Sequence, residues 1–239
     1  MLYLEYIMCG RFVLMSMAMR VAEEFEIGEA FDITARYNIA PSQEIIGVVN
    51  RGAESLRGVD SFKWGLVPSW AKDPSIGARL INARSETIAQ KPAFKRSFKS
   101  RRILIPANGF YEWNKATKPK RPYFIGLEGD ALFAMAGIWD EWEGQRSQKI
   151  KSCSIITTNS NDLVERIHDR MPVIVRRNDY EAWLQSKPLS DSLASEIFRP
   201  FPANLMRMRP VSAKVNKSDY DAPDCIYQTQ HSFFEDHLP

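Results

Sequence analysis

The chain has 239 residues, of which 44% are hydrophobic and 26% charged, a composition typical of a globular protein with one large core. Its formal net charge of +3 is too small to indicate a polyanionic partner by itself. The cysteines Cys9, Cys153 and Cys225 form no CxxC pair, which argues against a disulfide framework or zinc finger; we expect no metal and no cofactor. Without a signal-peptide pattern or an apolar run of roughly 20 residues, we predict a soluble, cytoplasmic protein with no membrane partner.

Short β-branched or aromatic runs predict most of the regular structure as strands, at 9–14, 45–50, 103–106, 122–127, 131–139 and 153–158. Helices are predicted from a cap at Ser16 to about Ile27, and over 85–99, 160–167, 178–186 and 190–198, with Asn178 or Asp179 and Ser190 as caps. Because strands outnumber helices without regular alternation, we predict an α+β fold: a single compact domain with a distorted mixed or barrel-like sheet and short flanking helices. We place it at residues 8–218, between an N-terminal extension (1–7) and a C-terminal tail (219–239) that we expect to pack loosely.

Two stretches are basic and contain no acidic residue. Residues 91–102, KPAFKRSFKSRR, hold six basic residues with Phe94 and Phe98 between them, and residues 199–218 hold five more. Basic residues interleaved with aromatics suit a groove that follows a nucleic-acid backbone and stacks on bases. A solvated helix face whose aromatics point into the core would explain the same pattern.

Five segments are denser in reactive and aromatic residues than core packing requires: MCGRF (8–12), KWGLVPSW (63–70), INARSET (81–87), RRILIPANGFYEWNK (101–115) and IHDRMPVI (167–174). Together with RYNIAPSQ (36–43), TTNSN (157–161) and VSAKVN (211–216), they make the chain resemble the SOS-response-associated peptidase (SRAP) family of abasic-site processing proteins. The resemblance runs over nearly the whole chain and implies a compact α+β domain with a distorted mixed sheet.

The resemblance implies a chemistry centred on Cys9. In the family this cysteine becomes the first residue, and its α-amine and thiol capture the aldehyde of an abasic site in single-stranded DNA as a thiazolidine. An α-amine titrates near ~8, which makes it a good nucleophile at neutral pH. Two nucleophiles on one residue also favour ring closure. Without the family, a lone cysteine would be read as a small buried strand residue.

Two more residues take catalytic roles by the same resemblance. Glu112, which lies between aromatic residues, is implied as an acid/base close to the cysteine, and apolar walls would raise its pKa. His168 is implied to assist proton transfers at the sugar, including those that reverse the crosslink. From the residues alone, Glu112 is equally well an exposed strand glutamate, and His168 a hydrogen-bonded core histidine.

The resemblance implies DNA contacts for six residues: Arg11, Pro41, Trp64, Asn82, Arg84 and Arg170. Asn82 and Arg84 match residues that hold the abasic sugar and its flanking phosphate, and a planar guanidinium can bind a phosphate through two hydrogen bonds. Pro41 and Trp64 are expected to stack on or wedge against bases. A salt bridge between Arg84 and Glu86 and a core role for Trp64 remain open alternatives.

The position of Cys9 limits this chemistry. With eight residues before it, Cys9 has no free α-amine, and its thiol could at most add reversibly to the aldehyde. Either translation starts at Met8, whose removal exposes Cys9, or the protein is cleaved before Cys9, with Cys9, Glu112 and His168 as conceivable participants. We favour the start at Met8.

The leading hypothesis is a lyase-like enzyme, acting as a monomer on the nucleoid in the DNA-damage response, that captures abasic sites in single-stranded DNA covalently. A thiol peptidase, including an autopeptidase, is an alternative because the order Cys…Glu…His could build a nucleophile, a base and an orienting residue. That alternative has no obvious oxyanion loop and leaves the basic segments unexplained. A non-covalent single-strand binder with a structural Cys9 is the third possibility.

Overall fold

The computed structural model describes residues 9–52, 56–114, 116–144 and 147–229. The strands in these ranges are β1 (Phe12–Leu14), β2 (Arg36–Ile39), β3 (Glu44–Asn50), β4 (Arg57–Trp64), β5 (Asn82–Arg84), β6 (Arg102–Ala107), β7 (Gly109–Asn114), β8 (Arg121–Leu127), β9 (Phe133–Glu143), β10 (Lys149–Asn159), β11 (Arg170–Pro172), β12 (Ile174–Val175) and β13 (Met206–Pro210). The α-helices are α1 (Ala18–Phe25), α2 (Lys95–Ser100), α3 (Tyr180–Leu184) and α4 (Asp191–Ile197).

The strands form two sheets, one of which closes on itself. The first sheet has the order β13-β8-β7-β1-β2 and is antiparallel. In the second, β10, β4, β3, β6 and β9 follow one another, and β9 also pairs with β10, which closes a five-stranded barrel. Only the β10–β4 pair in this barrel is parallel. The predicted α+β fold with a mixed, barrel-like sheet is confirmed.

Both faces of the three central strands of the first sheet, β1, β7 and β8, are largely buried. Side chains alternate between the two faces along a strand. Phe12 and Phe110 therefore join the main core, which they share with the barrel, while the adjacent Val13 and Tyr111 lie in a second cluster on the opposite face. The completely buried Cys225 belongs to this second cluster.

The predicted helices are shorter in the structure than expected. Only the end of the 85–99 prediction is helical, as α2, because Pro92 disfavours a helical conformation at the residue before it and cannot donate its own backbone hydrogen bond. The 160–167 segment forms only a 3₁₀ turn at Val164–Arg166. Ser190 caps α4 as predicted, by accepting a bond from the Leu193 amide at 3.3 Å. Ser16 does not cap α1, since its hydroxyl bonds Asn108 instead.

Residues 219–229 pack closely on the first sheet, so the expectation of loose packing is wrong for them. Asp221 Oδ1 accepts hydrogen bonds from the amides of Tyr37 (2.5 Å) and Asn38 (3.0 Å), and Oδ2 accepts one from Arg36 Nε (3.2 Å). Further on, the Thr229 amide donates to the Pro210 carbonyl at 3.0 Å. The fold therefore continues to Thr229; residues 1–7 and 230–239 lie outside the described residues.

The Asp221 contacts predict a stability effect. We expect Asp221→Ala to lower the free energy of unfolding by about 2 kcal/mol, because it leaves two β2 amides and a guanidinium without their acceptor. The measurement is the urea midpoint followed by tryptophan fluorescence. Asp219→Ala is the matched control, since Asp219 is exposed and has no recorded bond to the described part of the chain. An unchanged midpoint for Asp221→Ala would show that this segment adds no stability.

Candidate active site

The pairing of β1 with β7 brings Cys9 and Glu112 into contact. Phe12 lies opposite Phe110 in this antiparallel pair, and the same register continued places Gly10 opposite Glu112. The Cys9 backbone nitrogen donates to Glu112 Oε1 at 2.7 Å. Cys9 is completely buried and Glu112 is 3% exposed, which makes the alternative of an exposed strand glutamate wrong. Cys9 and Glu112, the expected nucleophile and the expected acid/base, are therefore in direct contact.

The surroundings of Cys9 affect its two nucleophiles differently. Burial, and second the negative charge of Glu112, raise the pKa of the thiol well above its usual value. The thiol is therefore protonated near neutral pH and is a weak nucleophile by itself. The nitrogen, in contrast, donates a hydrogen bond directly to the Glu112 carboxyl group. The Glu112 side chain therefore contacts the nitrogen of Cys9, while the thiol stays protonated.

The backbone at Cys9 is left-handed, with φ of 44°. For a residue with a side chain this conformation costs about 1–2 kcal/mol. The torsion φ includes the carbonyl carbon of the preceding residue. A chain that begins at Cys9 has no such torsion and would not bear this cost.

A second group of expected site residues lies beside the last half of β10. Strand β5 runs parallel to β10, with Asn82 opposite Ile155 and Arg84 opposite Thr157. Strand β11 is antiparallel to β10, with Arg170 opposite Asn159. His168 lies just before β11 and is 6% exposed; its Nδ1 accepts a hydrogen bond from the Arg170 amide at 3.1 Å.

Trp64 connects the two groups from inside the core. It is completely buried, its indole nitrogen donates to the Ile81 carbonyl next to Asn82 (2.9 Å), and its ring meets the edge of Phe12 at 5.3 Å between centroids. The expected role of Trp64 as a base-stacking surface is therefore wrong in this structure, and the core alternative is correct. Pro41 is partly exposed in the turn after β2, where the Ser42 amide bonds the Trp64 carbonyl at 2.8 Å.

Arg170 is held inside the protein, which the sequence did not predict. It is 7% exposed, and Glu86 binds it with both carboxylate oxygens, at 2.5 and 3.0 Å. The alternative salt bridge between Arg84 and Glu86 is therefore wrong. The Arg84 side chain is exposed, and its guanidinium forms no hydrogen bond or ion pair with the part of the chain that the structure describes. Of these two arginines, Arg84 is the one whose guanidinium is open to solvent.

Arg11 also has partners within the fold. Its Nη1 donates to the Val215 carbonyl (2.7 Å) and to Asn38 Oδ1 (3.3 Å), and its guanidinium lies 5.9 Å from the Trp113 ring centre. Burial lowers the pKa of Arg11 from its usual value. Trp113 in turn donates to Asn216 Oδ1 at 2.7 Å. Arg11 thus anchors the VSAKVN segment. The sequence contains only one signal for this role: Asn38 and Val215, the two hydrogen-bond partners of Arg11, both lie in motifs that the chain shares with the family.

The basic stretch at 91–102 presents fewer cations than its sequence suggests. Arg102 is 3% exposed, burial lowers its pKa to about 10, and it donates only to backbone carbonyls, including that of Trp183 at 2.6 Å. Phe94 and Phe98 pack on the core, so the expectation that they form stacking surfaces is wrong. Four exposed side chains remain as a basic surface: Lys91, Lys95, Arg96 and Lys99.

In the described ranges, no group of three His, Cys, Asp or Glu residues could hold a metal ion. A separate search of the same residues finds no helix that is both long and apolar enough to cross a membrane.

The fold and the Cys9–Glu112 contact define an α+β protein in which a buried cysteine lies three residues before the first strand and donates its backbone N–H to a glutamate side chain. Residues 8–218 match the model of the SOS response associated peptidase (SRAP) family, and the chain belongs to this family. The abasic site processing protein YoaM of Bacillus subtilis (strain 168) is 39% identical over 228 residues, which cover 94% of this chain and 100% of YoaM.

More distant proteins agree with this assignment. The abasic site processing protein HMCES of Xenopus tropicalis is 31% identical over 195 residues, which cover 72% of this chain and 58% of HMCES. A crystal structure of a protein from Bacteroides thetaiotaomicron superposes with a TM-score of 0.82 at 25% identity and covers 92% of this chain and 100% of its own. The expected family membership is confirmed.

Proposed function

We propose that this protein captures abasic sites in single-stranded DNA covalently, with Cys9 as the first residue of the active chain. The observation that carries the proposal is the 2.7 Å contact between the Cys9 nitrogen and Glu112 Oε1. The names of YoaM and HMCES, both abasic site processing proteins, support it. We further propose that it acts as a monomer in the cytoplasm, on nucleoid DNA and in response to DNA damage.

In a chain that begins at Cys9, the nitrogen is an α-amine and Glu112 takes its extra proton. The nitrogen lone pair then attacks the aldehyde carbon of the ring-opened sugar. One proton from the nitrogen and the proton held by Glu112 pass to the former aldehyde oxygen, which leaves as water and gives a protonated Schiff base. The Cys9 sulfur adds to the imine carbon, its proton passes to the nitrogen, and a thiazolidine closes. The raised pKa of the thiol agrees with this order of steps.

The second group of residues would bind the DNA around the reacting sugar. We propose that Asn82 and the exposed Arg84 hold the sugar and its flanking phosphate, and that His168 moves protons at the sugar. Pro41, which is partly exposed, would wedge against a neighbouring base. Cations on the exposed α2 face would follow the backbone, which predicts that binding weakens as salt rises.

Self-cleavage before Cys9 is a second candidate activity, favoured by the left-handed φ of 44° at this residue. The Cys9 thiol would attack the preceding carbonyl carbon and form a thioester. Glu112 would protonate the departing nitrogen, and water would then hydrolyse the thioester. This reaction would relieve the backbone strain and produce the amine that capture requires.

The test of capture uses a single-stranded oligonucleotide with one abasic site and a denaturing gel, with protein whose intact mass shows that it begins at Cys9. We expect a heat-stable shifted band. Cys9→Ser should lose that band but retain an imine that borohydride traps, while Cys225→Ser, the matched control, should keep the band. An oligonucleotide with a tetrahydrofuran in place of the abasic sugar has no aldehyde and should not react. Equal bands for Cys9→Ser and the starting protein would refute capture through Cys9.

A further inference from the structure

The geometry points to Glu86 as a positioning residue for His168, acting through Arg170; this inference rests on the proposed function for its catalytic meaning. Glu86 follows β5, while Arg170 begins β11 on the other side of β10. Glu86 Oε1 and Oε2 accept from the two terminal guanidinium nitrogens of Arg170, at 2.5 and 3.0 Å. A fork-to-fork pair of this kind fixes direction as well as distance.

The guanidinium is also fixed from β10. Its Nη1 donates to Asn159 Oδ1 at 2.8 Å, and its Nη2 donates to the Thr157 carbonyl at 2.7 Å. The Arg170 side chain is 8% exposed, whereas that of Glu86 is 44% exposed. An arginine so deeply buried needs a counter-charge, and Glu86 is the carboxylate that supplies it.

The backbone of the same arginine determines the proton position on His168. The Arg170 amide donates to His168 Nδ1 at 3.1 Å, so the neutral imidazole carries its proton on Nε2. The Asp169 carboxylate, 80% exposed, also lies 3.2 Å from Nδ1. Among the described residues, the charged groups that link Glu86 to His168 or lie against the ring are Glu86 itself, Arg170 and Asp169. Any disorder of Arg170 would release the amide that holds the ring.

Neutralising Glu86 should weaken the hold of Arg170 on His168. In Glu86→Gln the charge of Arg170 is no longer balanced by a carboxylate. The guanidinium also loses half of its fork, and the Arg170 amide becomes a less constant partner for Nδ1. We expect reversal of the crosslink, the step that depends on His168, to slow about tenfold. This is less than the effect of removing a general acid/base altogether, because the imidazole is still present.

The experiment has one arm that does not need DNA. Histidine ring signals are followed by NMR through a pH titration, with His168→Ala to assign the signal. We expect Glu86→Gln to reduce the Nε2–H tautomer of the neutral ring, and Glu86→Asp to restore it in part. Glu165→Gln is the matched control, because Glu165 is exposed and lies outside this network. An unchanged tautomer population of His168 in Glu86→Gln overturns the inference.

The second arm measures crosslink reversal in a double-mutant cycle. If Glu86 acts through His168, Glu86→Gln should have no further effect in a His168→Ala background. Additive losses would overturn the inference and assign Glu86 an independent role. A higher DNA affinity of Glu86→Gln with an unchanged rate of crosslink reversal would also overturn it, and would show that Glu86 competes with the DNA phosphate for an arginine. If the starting protein forms no crosslink at all, the proposed function fails, while the NMR titration still decides the positioning role.

Discussion

Protein that begins at Cys9 should crosslink an abasic-site oligonucleotide at least about a thousandfold faster than the same protein with one alanine placed before Cys9. The reason is electronic: a nitrogen within a peptide bond shares its lone pair with the carbonyl and cannot form a Schiff base. The Glu112 contact at 2.7 Å would persist in both proteins, so the carboxylate would be present without an amine to deprotonate. Initial rates from denaturing gels give the comparison.

Two controls make this result interpretable. Intact mass confirms the first residue of each protein, and equal urea midpoints show that the added alanine does not unfold the domain. Binding of an undamaged oligonucleotide should be the same for both proteins. Similar crosslinking rates for the two would refute the requirement for a free amine on Cys9.

Replacing Glu112 by Gln should slow capture by about a hundredfold. The amide oxygen of Gln can still accept a bond from the Cys9 nitrogen, but it cannot carry a proton from the amine to the departing water. Glu143→Gln is the matched control, since Glu143 is an exposed strand glutamate in β9. A rate within twofold of the starting protein would remove the catalytic role of Glu112.

The same variant should affect the thiol in the opposite direction. The charge of Glu112 helps to raise the pKa of Cys9, so its removal should lower this pKa and increase the thiolate fraction at a given pH. Alkylation of Cys9 by iodoacetamide, read by mass spectrometry, should therefore become faster while capture becomes slower. Slowing of both reactions would indicate general damage to the site.

The sequence predicted those strands whose apolar runs are long and have clear boundaries, such as β3 and β6. It missed β4, where Asp60, Ser61 and Lys63 interrupt the apolar run because these side chains are not buried. The strands β5, β11 and β12 have only two or three residues and are defined by their partners on β10 and β9, which no local pattern encodes. The predicted 85–99 helix forms only from Lys95 onward, because Pro92 restricts the backbone of the residue before it.

For the site, the family resemblance identified the Cys9–Glu112 pair, but it could not assign the arginines. Glu86 and Arg170 are 84 residues apart and meet only because β5 and β11 flank the same strand. Trp64 shows the same limit: an indole in a motif is equally consistent with base stacking and with core packing. Only its hydrogen bond to Ile81 and its contact with Phe12 decide the matter.

The two parts of strand β10 have different partners, and this bears on how a protein with this fold can diverge. Its first part, up to Ile155, pairs with β9 and closes the barrel, while its last residues, to Asn159, carry β5 and β11. The short strands that hold Asn82, Arg84 and Arg170 are therefore appended to a closed framework and are not part of its closure. Substitutions in these strands can change the side chains that they present without breaking a pairing of the barrel, so the two parts of the molecule can diverge separately.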